Sequence, residues 1–222
     1  MKFPKIVTLC CLIVSCSSVE LVENWKNPDI DAYSPNKVLL IGMTSNNDSR
    51  KLFEKQLQDE YASRGIESVM SIDFFQSSFI SKENTEEELE QLEKKLINNG
   101  FDTILFTKVF GVEDKIKYKE DYDGYDSTHR RFSEDYLKYQ DAYYNPDYYE
   151  EYTIYHTETA MYCICPTKDR ELIWKGYIDI IDPESIHETI NDYVQLMILI
   201  LEEQKLINPI VTEDIPDNRA IY

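Results

Sequence analysis

The chain has 222 residues and is strongly acidic, with 23 Lys and Arg against 42 Asp and Glu and a formal net charge of −19 at pH 7. Such a balance repels phosphate backbones and anionic lipid headgroups, so it argues against nucleic-acid binding and against electrostatic docking on a membrane. The length suffices for one sizeable hydrophobic core or two small ones.

Residues 1–15 have the layout of a bacterial lipoprotein signal. Lys2 and Lys5 form a basic start, an apolar run of about nine residues follows, and the stretch Leu12-Ile13-Val14-Ser15-Cys16 ends in a cysteine after a small residue. The apolar run is far shorter than the ~20 residues of a spanning helix, which is typical of a targeting segment. We predict cleavage before Cys16 and acylation of that cysteine. An uncleaved anchor, or a secretory signal without lipid, is the alternative.

Lipid on Cys16 would supply the membrane attachment that the charge opposes. Cleavage removes two lysines and moves the formal charge from −19 to about −21. Each buried CH₂ contributes roughly 0.8 kcal/mol, and stable anchoring takes more than one acyl chain. We therefore expect membrane lipid to be a partner through acylated Cys16. Ser17 and Ser18 fit sorting to the outer membrane of a Gram-negative bacterium.

Composition divides the rest of the chain into three parts. Residues 16–36 are polar, with several Asn, Ser and Pro, and predict a tether from the lipid to the folded part. The alternation of apolar strand and helix patterns over residues 37–207 predicts a single α/β domain. Residues 208–222 predict a loosely held tail.

The first half of the domain has a β-α-β-α-β pattern. The continuously apolar stretch at 37–43 predicts a central strand covered on both faces. An N-cap within 46–49 and a C′ glycine at Gly65 bound the first helix, and a capping box of Thr85 and Glu88 opens the second. Right-handed crossovers make the strands of such a pattern parallel. The predicted strands cover residues 37–43, 67–73 and 102–110, and the second helix should face the core with Leu89, Leu92 and Leu96.

The second half predicts a long antiparallel hairpin, over 152–165 and 171–181, and a closing helix that begins at Asp182-Pro183. The hairpin residues expected on the core face are Leu172, Trp174, Gly176, Ile178 and Ile180. The helix residues expected there are Ile186, Ile190, Tyr193 and Val194. The predicted fold class is therefore α/β, with three layers and a mixed sheet: a β-α-β-α-β first half, the antiparallel hairpin and a C-terminal helix.

An insertion at about 111–151 is dense in tyrosine and acid and poor in aliphatic residues. A connection of that length indicates either function or disorder, and a short helix around 133–143 is compatible with its pattern. Tyrosine is favoured at recognition surfaces because it combines a large apolar face with a polar tip. The alternative is a cover over the sheet edge, held by its own aromatic contacts. The candidate partner-binding residues are Tyr122, Tyr125, Tyr136, Tyr139, Tyr143, Tyr144, Tyr148 and Tyr149.

The loop from Gly42 to Arg50 joins a strand end to a helix N-terminus, where open α/β sheets place ligands. It lacks the second glycine and the lysine of a P-loop. An ordinary capping turn is the alternative, in which Arg50 pairs with Glu54 at i, i+4. The candidate ligand-binding residues are Thr44, Ser45, Ser49 and Arg50.

No catalytic residue, metal site or cofactor is predicted. The acidic stretch from Asp121 to Asp126 lacks the closing glutamate of a calcium loop, so a solvated acidic loop is the preferred interpretation. The three histidines have no nucleophile in a recognisable motif. Cys163 and Cys165 are two apart in a predicted strand, where a bridge would be strained, so free thiols are expected, with a soft-metal pair as the alternative.

The order of elements resembles that of bacterial outer-membrane lipoproteins with a compact α/β domain. These include penicillin-binding-protein activators, curli-secretion lipoproteins, the amino-terminal domain of TolB and, above all, uncharacterised lipoproteins of the Bacteroidetes kind. The likeness covers about 37–205 and is one of pattern. It is carried by Val38-Leu39-Leu40-Ile41-Gly42, Arg50, Gly65 and Glu171-Leu172-Ile173-Trp174-Lys175-Gly176. The resemblance implies a protein that works by binding, and the Tyr-rich insertion departs from it.

Two functions follow as hypotheses. The first is a non-enzymatic, membrane-anchored envelope lipoprotein that meets an envelope protein or a cell-wall glycan through the Tyr-rich segment. The second is a small-ligand-binding or enzymatic domain that uses the loop from Gly42 to Arg50. A well-formed pocket with convergent polar groups would favour the second, and exposed aromatics on the insertion would favour the first. Disorder of 111–151 would leave the domain merely structural.

Overall fold

The computed structural model describes residues 18–44, 46–75, 83–118, 131–133, 136, 144, 149–165 and 171–210. A six-stranded mixed sheet runs through them, with helices on both faces, so the predicted three-layer α/β class is confirmed. The strands are β1 (Val19–Lys26), β2 (Lys37–Met43), β3 (Glu67–Met70), β4 (Thr103–Tyr118), β5 (Tyr149–Cys163) and β6 (Glu171–Ile181). The helices are α1 (Asn47–Ser63), α2 (Ser71–Phe74), α3 (Glu86–Asn98) and α4 (Ile186–Glu203).

The strands lie in the order β1-β6-β5-β4-β2-β3. β2 pairs in parallel with β3 and β4, as right-handed crossovers require, and the remaining neighbours are antiparallel. Leu39 and Leu40 are both fully buried although they point to opposite faces of β2. The prediction of a central strand covered on both sides is therefore confirmed.

Two hydrophobic cores flank the sheet. The larger one lies under α1 and α4 and includes Leu40, Leu57 and Met197. The smaller one lies under α3 and joins Leu39 to Leu96. The β2-β4 end of the sheet is thus enclosed between helices.

The local signals for helix ends work as predicted. Asn46 caps α1 through its side-chain oxygen, and Thr85 and Glu88 form both halves of the capping box of α3. Gly65 and Gly100 follow these helices with φ of 72° and 81°, the left-handed conformation of a C′ glycine.

The predicted tether at 16–36 is wrong for its described part. β1 adds to the sheet as an edge strand, antiparallel to β6 from Val19 opposite Ile180 to Lys26 opposite Trp174. Val19 and Ile30 are buried in the larger core. Pairing with a strand some 150 residues later outweighs the polar composition, because only alternate residues of an edge strand need to be apolar.

The predicted insertion begins later and ends earlier than its composition indicates. β4 continues to Tyr118 and β5 starts at Tyr149, so the two strands pair far beyond the end of β2. Residues 111–118 and 149–151 belong to a paired ribbon instead of a loop. The ribbon is two-stranded beyond Glu113, because β6 ends at Ile181, on the other side of Ile154. The alternation of apolar Val112 and Ile116 with polar neighbours suits such an exposed ribbon.

Two smaller predictions for the first half also need correction. The second predicted strand ends at Met70, and Ser71–Phe74 forms α2 because the Ile72 N–H is bound by the Glu54 carboxylate. Leu89, expected on the inner face of α3, is exposed, and Leu92 is only partly buried.

A bulge in β6 changes which residues reach the core. Met161 lies opposite Trp174 while Tyr162 lies opposite Leu172, so Ile173 is the extra residue. Ile173 is fully buried, and Leu172, expected on the core face, is only partly buried. Trp174, Gly176 and Ile178 do face the core as predicted.

α4 begins later than predicted, at Ser185, whose side chain accepts the Glu188 N–H. Asp182 has φ of 46°, which is incompatible with the extended backbone of an N-cap. Ile186, expected to face the core, is exposed, and so is Leu199.

Cys163 and Cys165 are joined by a disulfide bond, so the prediction of free thiols is wrong. β5 ends at Cys163, and the following loop brings the two Cα atoms to 5.3 Å, within the range that a disulfide spans.

Candidate functional site

A cavity of about 160 Å³ opens at the end of β2, beside the middle of β4 and between the N-terminal turns of α1 and α4. It lies at the carboxyl end of the parallel strand β2, and open α/β sheets place their ligands at such strand ends. Its walls are mostly apolar, and they include Met43, Thr44, Ser49, Val109, Ile190 and Tyr193. Thr44 and Ser49 are residues that the sequence assigned to a ligand site.

The volume of the cavity decides what it can hold. About 150 Å³ accommodates one benzene-sized apolar group, whereas sites for drug-sized molecules and cofactors measure about 300–1,000 Å³. The cavity therefore fits a single apolar side chain or a fragment of similar size.

Hydroxyl groups form a chain beneath the cavity. Tyr193 OH lies 2.9 Å from Thr157 Oγ1 and 2.9 Å from Thr159 Oγ1, and Thr159 Oγ1 lies 2.8 Å from Thr107 Oγ1. Thr157 donates its proton to the Ile178 carbonyl at 2.6 Å.

This geometry sets the direction of every hydrogen bond in the chain, since a hydroxyl has only one proton to donate. Thr157 has used its proton, so Tyr193 donates to Thr157. Thr159 then donates to Tyr193, and Thr107 donates to Thr159. Thr107, at the cavity wall, is left with acceptor capacity towards the cavity.

Burial raises the pKa of the Tyr193 phenol above 10, while its bonds to Thr157 and Thr159 oppose that shift. A phenol with a raised pKa that is already engaged in two hydrogen bonds is a poor general base. The hydroxyl chain is therefore structural: it holds α4 on β5.

Arg50, a predicted ligand residue, does not reach the cavity. Its Nε donates to Glu54 Oε1 at 2.9 Å and its Nη2 donates to Ser71 Oγ at 2.5 Å. Both charged side chains are buried. The pair holds α1 against the neighbouring elements, as the alternative interpretation of the sequence has it, so Arg50 is removed from the candidate ligand set. Ser45 lies outside the described residues.

The ribbon of β4 and β5 carries exposed apolar groups beside the cavity. Val112 and Ile116 are 59% and 65% exposed, and Val109 at the cavity rim is also exposed. These are large values for apolar side chains.

Three of the eight candidate tyrosines belong to the described residues. Tyr136 and Tyr144 are exposed, and the Tyr136 ring lies 5.8 Å from that of Phe132, which is 82% exposed. Tyr149 opens β5 opposite Tyr118. The remaining five, Tyr122, Tyr125, Tyr139, Tyr143 and Tyr148, lie outside the described residues, as do the acidic stretch from Asp121 to Asp126 and most of the predicted helix at 133–143.

His156 is a titratable group for which the sequence indicated no partner. Its Nδ1 lies 2.7 Å from Asp179 Oδ1, its Nε2 lies 3.6 Å from Glu113 Oε2, and its ring packs 6.1 Å from that of Phe110. The hydrogen bond with Asp179 raises the pKa of His156 above 6.5. The three residues come from three different strands, which is why sequence reasoning missed them.

A second depression, of about 370 Å³, lies at the opposite end of the sheet, between residues 32–34 and the chain after α4. Its charged wall groups are Glu202 and Lys205, and Glu202 is already bound to Arg64 at 2.6 Å. These groups do not form a catalytic set.

Within the described parts of the chain, no cluster of three or more His, Cys, Asp or Glu side chains has the spacing of a metal site. Nor does any described helix combine the length and apolar character required to cross a membrane.

Comparisons with known proteins return a structural likeness alone. No protein-family model and no curated protein matches the chain. Among solved structures, it is similar to the PelC dodecamer from Paraburkholderia phytofirmans and to a point variant of it. Each is 8% identical with a TM-score of 0.41, and the match covers 85% of this chain and 98% of theirs.

Proposed function

We propose that this protein is a non-enzymatic binding or assembly factor of the bacterial cell envelope. It is anchored in the outer membrane of a Gram-negative bacterium through acylated Cys16. It contacts an envelope protein or a cell-wall glycan through the ribbon and the Tyr-rich segment that the ribbon carries.

The observation that carries this proposal is the projection of β4 and β5 beyond the packed sheet. β2 ends at Met43, opposite Lys108, whereas β4 continues to Tyr118. Side chains that a packed domain would bury are exposed along the ribbon and beyond it, among them Ile116 and Tyr144. Side chains carried on paired strands are partly preorganised, which lowers the entropic cost of binding.

The alternative, a small-ligand-binding or enzymatic domain, has weaker support. The cavity beside the loop is too small for a drug-sized ligand. The hydroxyl groups beneath it form hydrogen bonds with one another, and Arg50 forms an ion pair with Glu54. The one charged side chain among the described wall residues, Lys108, is paired with Glu158 at 3.2 Å.

Crosslinking in living cells tests the partner surface. A photo-crosslinking amino acid at Tyr136 or Tyr144 should form adducts with one specific envelope component. The same probe at Lys51, which is exposed on α1, should not. Equal, unspecific labelling from all three positions would contradict the proposed surface.

Fractionation tests the anchor. Because the acidic chain has no electrostatic attraction to a membrane, Cys16→Ser should release the protein from the membrane fraction. Cys10→Ser, within the same apolar run, is the matched control and should leave attachment unchanged. Membrane retention of the Cys16→Ser variant would show that lipid on Cys16 is not the anchor.

A further inference from the structure

β4 has an unpaired edge beside the cavity. On its β2 side the ladder ends with Met43 opposite Lys108. Among the described residues no strand occupies that side over 109–118, while β5 pairs along the other side. Alternate N–H and C=O groups of a strand point to each edge, so this edge has a row of donors and acceptors that no described strand pairs.

The unpaired segment that directly follows Lys108 carries no charged side chain. Its residues are Val109, Phe110, Gly111 and Val112. Natural edges are commonly protected by charged side chains, and such protection starts only at Glu113, which pairs with Lys115 at 3.0 Å. The segment 109–112 is therefore an accessible template for another strand.

A bulge aligns this edge with the cavity. The register shifts between Val109 and Gly111, so that Val109 lies opposite Thr157 and Val112 lies opposite Tyr155. Thr157 and Tyr155 are two apart on β5 and share a face, so Val109 and Val112 share the face on which the cavity opens. A strand added here would point alternate side chains towards that face.

The cavity reaches the point where β2 ends, and it extends from there over the sheet face to Thr157 and Ile180. It is walled by Met43, at the end of β2, and by Val109, on the neighbouring strand. A chain that took the place of β2 along β4 would therefore border the cavity at Met43 and Val109. Its volume of about 160 Å³ matches one large apolar or aromatic side chain.

Charge indicates the composition of the occupant. The whole chain carries −19. Beyond the uncharged segment, the described side chains of the ribbon include Glu113, Asp114 and Glu151 against Lys115. A basic segment is therefore attracted and an acidic one repelled.

We propose that the partner binds as an extended polypeptide segment, which adds to the sheet as a β-strand along residues 109–112 and places one large apolar side chain in the cavity. Main-chain hydrogen bonds supply affinity in this mode, and the side-chain pocket supplies specificity. The inference rests on the proposed binding function and deepens it, because it names a peptide strand as the ligand at the base of the ribbon.

The test uses the purified full-length protein in detergent and a displayed library of random peptides of about ten residues. Selected peptides, made synthetically with a fluorophore, are measured by fluorescence polarisation. They should be basic, with a large apolar residue within an alternating pattern. Val109→Lys should weaken their binding by about tenfold or more. Val22→Lys, the same change at an exposed valine on β1, should alter it less than about twofold.

Backbone methylation gives the readout that is specific to strand addition. N-methyl groups on one set of alternate peptide residues should reduce affinity by about tenfold or more, and on the opposite set by less than about twofold, because only one set faces β4. Amide exchange should slow within 109–112 when the peptide is bound.

Three results would each overturn the inference. The two methylation sets could reduce affinity equally, the Val109→Lys variant could bind the peptides with wild-type affinity, or no peptide could be selected. Failure to select any peptide, together with a specific crosslink from Tyr136 or Tyr144, would leave the proposed function standing. If the peptides bind as strands but no specific crosslink forms from Tyr136 or Tyr144, the Tyr-rich segment is not the partner surface.

Discussion

Arg50 and Glu54 form a buried ion pair in which Arg50 Nε donates to Glu54 Oε1 at 2.9 Å. The same carboxylate accepts the N–H of Gly42 at 2.9 Å and that of Ile72 at 3.0 Å. It also accepts the Ser71 hydroxyl. Glu54 thus joins α1 to the end of β2 and to the start of α2, and so positions the wall of the cavity.

Replacing this carboxylate by an amide should be strongly destabilising. Glu54→Gln leaves the Arg50 guanidinium buried without a counter-charge and should lower the free energy of unfolding by about 3–5 kcal/mol. Urea denaturation measures the change. Glu90→Gln is the control: Glu90 faces Lys94 at 3.9 Å with the same i, i+4 spacing but in solvent. It should cost about 0.5 kcal/mol or less. Equal losses of unfolding free energy in the two variants would show that burial of the Arg50–Glu54 pair does not make its disruption more destabilising.

Two buried tyrosines should respond oppositely to the same substitution. Tyr193→Phe removes the hydroxyl that accepts a hydrogen bond from Thr159 and donates one to Thr157. The free energy of unfolding should fall by about 1–3 kcal/mol. The Tyr61 hydroxyl is buried and has no hydrogen-bond partner among the described residues. Tyr61→Phe should therefore be neutral or stabilise by about 1 kcal/mol. Thermal unfolding of both variants checks the pair, and a loss of stability in Tyr61→Phe comparable to that in Tyr193→Phe would contradict it.

Gly176 should not tolerate a side chain. A Cβ at this position would overlap the Trp174 ring, which is fully buried and has no room to move aside. Gly176→Ala should cost about 1–3 kcal/mol or more through overpacking. Gly111→Ala is the control, because its Cβ would meet His156 at an ordinary contact distance of 3.4 Å. Chemical denaturation should separate the two variants clearly, and a stable Gly176→Ala protein would mean that the Trp174 ring can shift.

Stability should depend on pH through His156. Its hydrogen bond with Asp179 raises the pKa of the imidazole above 6.5, so the folded state holds the proton more tightly than the unfolded state. This contribution is fully present below pH 6.5 and is lost as the pH rises through the folded pKa. An NMR titration should show a His156 pKa above 6.5, which Asp179→Asn lowers. The charged groups that face the ring are Asp179 and Glu113, and Lys115 pairs with Glu113.

His156→Gln should remove that part of the pH dependence of the unfolding free energy. A His156 pKa at or below 6.5 in the wild-type protein, or an unchanged pKa in Asp179→Asn, would show that the two side chains do not interact in solution.

The loop that borders the cavity was found from the sequence, but most of the cavity was not. Thr44 and Ser49 belong to a strand-to-helix connection, a local pattern with a general meaning in α/β sheets. Val109 and Tyr193 looked like ordinary strand and helix residues. The residues adjacent in sequence do not show that β4, the strand of Val109, extends beyond β2. Nor do they show that the Tyr193 and Phe53 rings pack with their centroids 5.8 Å apart.

Local backbone chemistry is what the sequence alone determined about this protein. Asn46 and Thr85 cap helices, and Gly65 adopts positive φ, because each of these preferences depends on a few adjacent residues. The apolar run of β2 likewise implied a strand covered on both faces.

Tertiary structure alone decided the long-range pairing. β1 joined the sheet, β4 and β5 extended into a ribbon, and Ile173 entered the core through a bulge, because each depends on a partner strand distant in the chain. The local sequence of a strand does not show which distant strand will form its backbone hydrogen bonds. Composition therefore misassigned both the tether and the ends of the insertion. The edge of β4 that no described strand pairs beside the cavity is a product of the same pairing, since the β2–β4 ladder stops at Met43.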